Sequence, residues 1–262
     1  MNDRKPQNSA SVAAAPIDCD EEEARLASRS LAAGDPTGWF EALYAAGASG
    51  RVTMPFDRAE AHPLLVEWAD NRQLAGRGQR AIVVGCGLGA DAEYISSRGF
   101  STVAFDISET AIQVARRRHQ ATTVDYVVAD LLNPRPQWTH GFDLVIEIIT
   151  VQALPEPPRR QAITNISRLV GAGGTLIVVA AAPGNDHNSS ELPPWPLTRD
   201  DIETFAADGL TIANIETISL PDSPSSHRWR VELYAAVRRT PATPNSESIV
   251  VHRSLHPLTE RR

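Results

Sequence analysis

The stretch Ala81-Ile-Val-Val-Gly-Cys-Gly-Leu-Gly-Ala-Asp91 decides the fold. Ala81 to Val84 read as a buried strand. Gly85, Gly87 and Gly89 mark a turn, and Ala90 and Asp91 open a helix. The next strand, Thr102-Val-Ala-Phe, ends on Asp106. In an open α/β sheet that acid stands beside the first glycine turn, at the carboxyl ends of the strands. Glycines let a ligand approach the backbone, and a carboxylate accepts both hydroxyls of a ribose, so the pattern predicts a nucleoside site. Gly85-Cys-Gly-Leu-Gly-Ala90 also satisfies the dinucleotide form G-x-G-x-x-G/A. Glycines and acid alone leave open a dinucleotide or another adenosine-containing ligand.

Outward from this unit, strand and helix alternate. Ser108 caps a helix carrying Ile112 and Ala115, and a third strand runs from Val124 to Ala129 and meets Asp130. The fourth strand is Phe142-Asp-Leu-Val-Ile-Glu-Ile-Ile149, with Asp143 a structural residue at its start. A helix from about Pro157 to Val170 breaks at Gly171-Ala-Gly-Gly174 before a fifth strand, Thr175 to Ala181. Thr198 and Asp201 form a capping-box pattern. Then Leu210–Ile218 and Trp229–Ala236 follow as two strands on a short connection. A parallel crossover needs a dozen or more residues, so the spacing predicts an antiparallel hairpin. Upstream, helices are expected over 38–46 and 63–70, with a turn at Met54–Arg58.

Composition narrows the class. The chain has 262 residues, 42% of them hydrophobic, enough for one sizeable domain. Residues 1–24 and 240–262 read as a disordered leader and tail around a domain at 25–239. No apolar run approaches a membrane span and no signal peptide is evident, so the cytoplasm is expected. Two cysteines, Cys19 and Cys86, make neither a disulfide framework nor a metal set. A net charge of −7 argues against an extended nucleic-acid partner. The only lysine, Lys5, stands in the leader, so the core has none for a Schiff base or a phosphate loop. Arg116-Arg-Arg118 falls where cations offset a helix dipole.

Together these units resemble the class I S-adenosylmethionine-dependent methyltransferases. The resemblance spans about 80–237, and its motifs occur in order. Val83-Val-Gly-Cys-Gly-Leu-Gly89 resembles the family's first motif, whose glycines face the methionine end of the cofactor. It implies that Gly85, Cys86 and Gly87 line that end. Asp106, with Ile107, matches the acid that holds the ribose diol. Val128-Ala-Asp130-Leu131 resembles the motif whose acid bonds the adenine amino group. The strand 142–147 ends on Glu147, where the reacting methyl group is met. Leu169–Leu176 matches the helix-turn-strand that follows. The implied fold is α/β: a doubly wound, Rossmann-like sheet of seven mostly parallel strands, a terminal antiparallel β-hairpin and an N-terminal helical lid over 36–74.

Trp39, Pro55-Phe-Asp57, Pro63-Leu-Leu65 and Pro193–Asp201 resemble the thiopurine, thiol and halide methyltransferase group. On that likeness Trp39 and Glu147 are expected at the cofactor, Phe56 and Trp195 at the substrate, and Glu147 or Asp57 as catalytic candidates. A tryptophan often follows the lid proline in that group; here Phe56 does. No metal is expected. The expected reaction is methyl transfer from S-adenosylmethionine to a small-molecule nucleophile, a thiol first and a phenolic or quinol oxygen second. The fourth strand lacks the Asn/Asp-Pro-Pro-Tyr wording of base amino methylation, which again points away from nucleic acid. A monomer is expected. An NAD-dependent oxidoreductase and a non-catalytic cofactor-binding protein remain as rivals.

Overall fold

The computed structural model describes residues 18–54, 56–184, 192–219 and 227–237. The expected tail, most of the expected leader and Pro55 lie outside them. Three helices come first: α1 (Cys19–Ala32), α2 (Gly38–Ala48) and α3 (Pro63–Asn71). Then β1 (Arg80–Val84), α4 (Ala90–Ser97), β2 (Ser101–Asp106), α5 (Glu109–Arg118), β3 (Asp125–Val128) and β4 (Phe142–Ile148) alternate. They are followed by α6 (Pro158–Ser167), β5 (Val170–Ala181), α7 (Arg199–Thr204), β6 (Leu210–Ser219) and β7 (His227–Ala235).

The strands form one seven-stranded sheet in the order β3-β2-β1-β4-β5-β7-β6. The first five are mutually parallel where they pair, and β7 runs antiparallel to both β5 and β6. The strand order reverses between β1 and β4. Open α/β sheets bind ligands at such a switch point, outside the carboxyl ends of the strands.

Period-two alternation assigns each strand residue to a layer. Ala81, Val83, Ala104, Leu144 and Ile146 pack with Leu65, Trp68, Ile95 and Ile112, which puts α3, α4 and α5 on one face. Ile82, Val84, Phe105, Val145 and Val178 pack with Ile163, Ile166, Ile202 and Phe205, which puts α6 and α7 on the other. Burial of such side chains stabilises by about 1.5–3 kcal/mol each before chain entropy is subtracted. Asp143 accepts the Arg80 N–H at 2.8 Å and ties β4 to the start of β1.

Some expected boundaries move. Residues 19–24, assigned above to a disordered leader, begin α1. Asp18 caps it by accepting the Asp20 N–H, and Asp20, Glu21 and Glu22 occupy its first turn. That acidic run complements the helix dipole. The sixth helix stops at Ser167, and β5 starts at Val170 rather than Thr175 because Val170 pairs with Phe142 before the register shifts. The charged side chains that alternate along β7 are covered as well. Glu232 is buried and paired with Arg72, which follows α3, while Arg230 pairs with Glu216 and Glu67.

Candidate active site

The cavity lies over the carboxyl ends of β1, β2, β3 and β4 and has a volume of about 290 Å³. Its floor is the glycine turn. Gly85, Gly87 and Gly89 all have positive φ, at 56°, 49° and 96°. An L side chain is strained in that region. Crowding adds a second reason. A Cβ on Gly85 would sit 2.4 Å from the Thr150 side chain, and one on Gly89 would sit 2.2 Å from the Tyr126 hydroxyl. Gly87 faces the hydroxyl of Tyr44, which descends from α2.

Asp106 closes β2 beside this turn and is almost wholly buried. Its Oδ2 accepts the Gly87 N–H at 2.9 Å, and its Oδ1 accepts the Ser108 N–H at 2.9 Å. Burial pushes its carboxyl up, and the amides of Ser108, Gly87 and Ile107 oppose that shift. A carboxylate has capacity for more than two donors, so a diol could still be accepted. Asp130, Leu131, Ala129 and Leu132 line the next stretch of wall, after β3. Asp130 turns the chain there by accepting the Leu132 N–H at 2.8 Å.

The N-terminal segment supplies the opposite wall, with Thr37, Phe40, Tyr44, Phe56, Arg58 and His62. It is tied down at three places. Glu41 of α2 accepts from Ser108 and Thr110 at the start of α5. Asp57 pairs with Arg118 at the end of α5, at 2.5 and 2.7 Å. Arg58 and the His62 N–H both bond to Asp91 in the first turn of α4, each at 2.7 Å. The His62 Nδ1 accepts the Leu64 N–H and caps α3. Burial, aided by the Arg58 charge, pulls the His62 pKa down to about 4, so the ring is neutral at pH 7.

The end of β4 forms the last wall, through Ile148, Ile149, Thr150, Ala153 and Leu154. Ile149 has φ 60°, an outlier for a β-branched residue. Glu147, fully buried in β4, accepts the Thr150 and Val151 N–H groups on Oε1, at 2.8 and 3.0 Å. Its Oε2 has no hydrogen-bond partner. Burial raises its pKa to about 7 against the pull of those two amides. Cys86 lines the floor, and burial pushes its thiol well above the usual range. It is no ready nucleophile at neutral pH.

The structure thus brings Gly85, Cys86, Gly87, Asp106, Ile107, Asp130, Leu131 and Phe56 to one cavity. Trp39, Asp57, Glu147 and Trp195 are not on its wall. Trp39 is buried against Ala27 of α1, and its neighbour Phe40 takes the cavity side. Asp57 is engaged by Arg118, and Glu147 lies behind the wall it supports. Trp195 stacks with the Arg159 guanidinium, and its main-chain N–H bonds to the Gln152 carbonyl. Tyr44, Arg58, His62, Asp91 and Thr150 join the site without having been singled out. Only Asp91 left a local signal, as an acid in the first turn of the helix after the glycines. Among the described residues no group of histidine, cysteine or acidic side chains is arranged to hold a metal.

Residues 81–174 match a family model described as a methyltransferase domain. Thiocyanate methyltransferase 1 of Arabidopsis thaliana is 30% identical over 175 residues, covering 65% of this chain and 72% of that protein. The ubiquinone biosynthesis O-methyltransferase of Thiobacillus denitrificans (strain ATCC 25259 / T1) is 31% identical over 118 residues, 44% of this chain and 49% of that one. A solved structure concerned with conversion of a disulfide bond into a thioacetal group during echinomycin biosynthesis superposes with a TM-score of 0.62 at 22% identity. It covers 78% of this chain and 93% of that chain, and the likeness is one of fold. The chain belongs to the class I S-adenosylmethionine-dependent methyltransferases. Its cofactor is S-adenosylmethionine.

Proposed function

We propose that this methyltransferase acts on a small soft nucleophile, a thiol-type sulfur in the first instance. The observation that carries the reading is the wall around the end of β4. Ile148, Ile149, Ala153, Leu154, Phe40 and Phe56 are apolar, and several polar groups nearby are already engaged, although the buried Arg58 Nη1 has no partner. Thr150 bonds to main-chain carbonyls, Asp91 is paired with Arg58, and neutral His62 is a weak base. An acceptor that brings its own reactive electron pair needs no base from the protein. The likeness to a thiocyanate methyltransferase supports the reading, since it extends well beyond residues 81–174.

Asp106 would accept the ribose hydroxyls, with Ile107 beside it. Asp130 and Leu131 would hold the adenine. Gly85, Cys86 and Gly87 would face the methionine end, and Phe56 the acceptor. The bound cofactor supplies a methyl carbon already activated by its positive sulfur. The chain's part is to orient the acceptor and exclude water, and orientation alone supplies roughly 7–11 kcal/mol. We read the protein as a cytoplasmic monomer acting on small molecules rather than nucleic acid. Among the described residues no helix is long and apolar enough to cross a membrane.

Transfer to a phenolic or quinol oxygen is the second reading. The O-methyltransferase likeness favours it, although it spans only about half of that relative. The test is a screen of hydrosulfide, thiocyanate, small thiols, thiopurines, halides, phenols and quinols with methyl-labelled cofactor. Thiols should be methylated, faster as pH rises toward the thiol pKa near 8.5. Thiocyanate or a halide should give a flat profile. Methylation of a hydroxylated aromatic with no product from any sulfur compound would overturn the thiol assignment.

A further inference from the structure

Glu147 is a carboxylate in the middle of an apolar sheet. It is fully buried, beside Val84 of β1 and Val178 of β5. An unpaired carboxylate is costly there. Its partners are two main-chain N–H groups, those of Thr150 and Val151, both on one oxygen. Glu147 therefore grips the chain just past the strand it belongs to.

What it grips is a tight corner. Ile149, between carboxylate and amides, has positive φ, and its own N–H reaches across to the Val179 carbonyl at 2.8 Å. Thr150 then lies across the first glycine. Its Oγ1 is 3.2 Å from both the Val84 and the Ile148 carbonyl oxygens, and its side chain fills the space a Cβ on Gly85 would need. Strained conformations persist only where the surroundings over-determine them. Here the carboxylate, the β5 carbonyl and the Thr150 hydroxyl do so together. Ile149 and Thr150 are also cavity wall, so a change in the corner is a change in the site.

We propose that Glu147 is a positioning residue: its carboxylate holds the Ile149–Val151 corner in the shape that sets the acceptor against the reacting methyl group, and it takes no proton from the acceptor. The assignment deepens the reading of the cavity given above and rests on it. The raised pKa reflects the cost of keeping this group buried, and the two amides are the only stabilising contacts that oppose it.

Two variants separate positioning from proton transfer and from simple fold support. Glu147→Gln keeps an acceptor oxygen for both amides and puts an NH₂ where Oε2 has no partner. Glu147→Ala removes the grip. Transfer to the acceptor panel would be measured alongside calorimetric affinity for S-adenosylhomocysteine, which also counts folded sites. Hydrogen exchange would be followed at Thr150 and Val151. Glu147→Gln should keep kcat within about 3-fold and keep both amides protected. Glu147→Ala should lose about 30-fold or more in kcat, deprotect both amides and change product affinity by less than about 3-fold.

Loss of transfer in Glu147→Gln with both amides still protected would overturn the proposal in favour of a base. Unchanged kcat per folded site in Glu147→Ala would reduce Glu147 to a fold-supporting role. If Glu147→Ala does not fold, unaltered amide protection in Glu147→Asp or Glu147→Gln together with lost transfer would also overturn the proposal. If the wild-type protein methylates nothing in the panel, the acceptor reading fails. The exchange pattern then decides the grip: protection of both amides surviving in Glu147→Ala refutes it.

Discussion

The two ends of the cavity are made of different material. Over β1, β2 and β3 the wall is largely main chain: the glycine turn, the amides of Gly87 and Ser108 gathered on Asp106, and the Asp130 turn. At the end of β4 and under the N-terminal segment it is side chains drawn from distant places. Phe40 and Tyr44 come from α2, and Phe56, Arg58 and His62 from the segment before α3. Main-chain walls are fixed once strands pair and turns close. Side-chain walls depend on individual contacts, such as the single tie between Arg58 and Asp91. The first end is therefore suited to one invariable ligand, and the second can be refashioned without disturbing the sheet.

The largest expected effect tests whether the β4 end is held at a cost. The Glu147 pKa is raised to about 7 from an ordinary 4.5, so the native state binds the extra proton. Its contribution to stability is full below pH 4.5 and is lost as pH rises to 7. The loss amounts to about 3 kcal/mol. His62 has the opposite sign: its pKa is lowered to about 4 from 6.5, so its contribution is present above 6.5 and lost as pH falls to 4. Glu23 of α1, raised to about 7 chiefly by burial, acts in the same sense as Glu147. The whole-protein curve mixes these, so the useful quantity is wild type minus Glu147→Gln. Urea unfolding from pH 4 to 8 should show that difference falling with pH. Parallel curves would mean that Glu147 is not held at a cost.

Next is the end proposed to hold the nucleoside. Asp106→Ala removes a buried charged acceptor, and product affinity should fall about 10- to 100-fold. Undiminished calorimetric affinity would take Asp106 out of the cofactor site and leave it a brace for Gly87 and Ser108.

A smaller effect sharpens the idea of a main-chain floor. Gly89→Ala meets the Tyr126 hydroxyl and a φ of 96°, and should cost about 1–3 kcal/mol. Adding Tyr126→Phe removes the obstructing oxygen, though it also breaks a bond to Glu93. A double-mutant cycle should show the two changes compensating in part. Strict additivity would clear the hydroxyl and leave the cost to backbone strain and to the Tyr126 ring carbon 2.9 Å away.

The smallest effect belongs to the cover. Asp57 and Arg118 are both more than a third exposed, so screening weakens their pair. Asp57→Asn should change stability by less than about 1 kcal/mol. A larger loss in thermal unfolding would show that the side-chain wall is more cooperative than its separate ties suggest.

The same division governs what the sequence disclosed. Glycine spacing, the acid ending β2 and the acid after β3 were legible because sheet topology alone brings those positions together. The antiparallel end of the sheet was legible from a connection too short for a crossover. The β4 wall was not. Trp39 and Phe40 are adjacent aromatics on an apolar helix, and only the packing of α1, itself hidden in an acidic run taken for a leader, decides which of them turns inward. Glu147 was conspicuous as a charge in an apolar strand. Whether it faced the cavity or braced the turn behind it depended on the chain direction after Ile148, where a β-branched residue adopts an unusual φ. Arg58 and Asp91 are 33 residues apart, and no local pattern announces their pairing.

The Tyr44 hydroxyl beside Gly87 has a bearing on modularity. Tyr44 belongs to the cover, yet with Leu88 of the glycine turn, Ala111 and Val114 it forms a small apolar cluster. Severing the chain before β1 would lay that cluster open and strip Ser108 and Thr110 of their shared carboxylate. The N-terminal segment is therefore not an accessory that could be traded between proteins of this architecture by cutting at the first strand. Any exchange of substrate preference by grafting would have to carry the seat of Tyr44 and the landing points of Glu41 along with it.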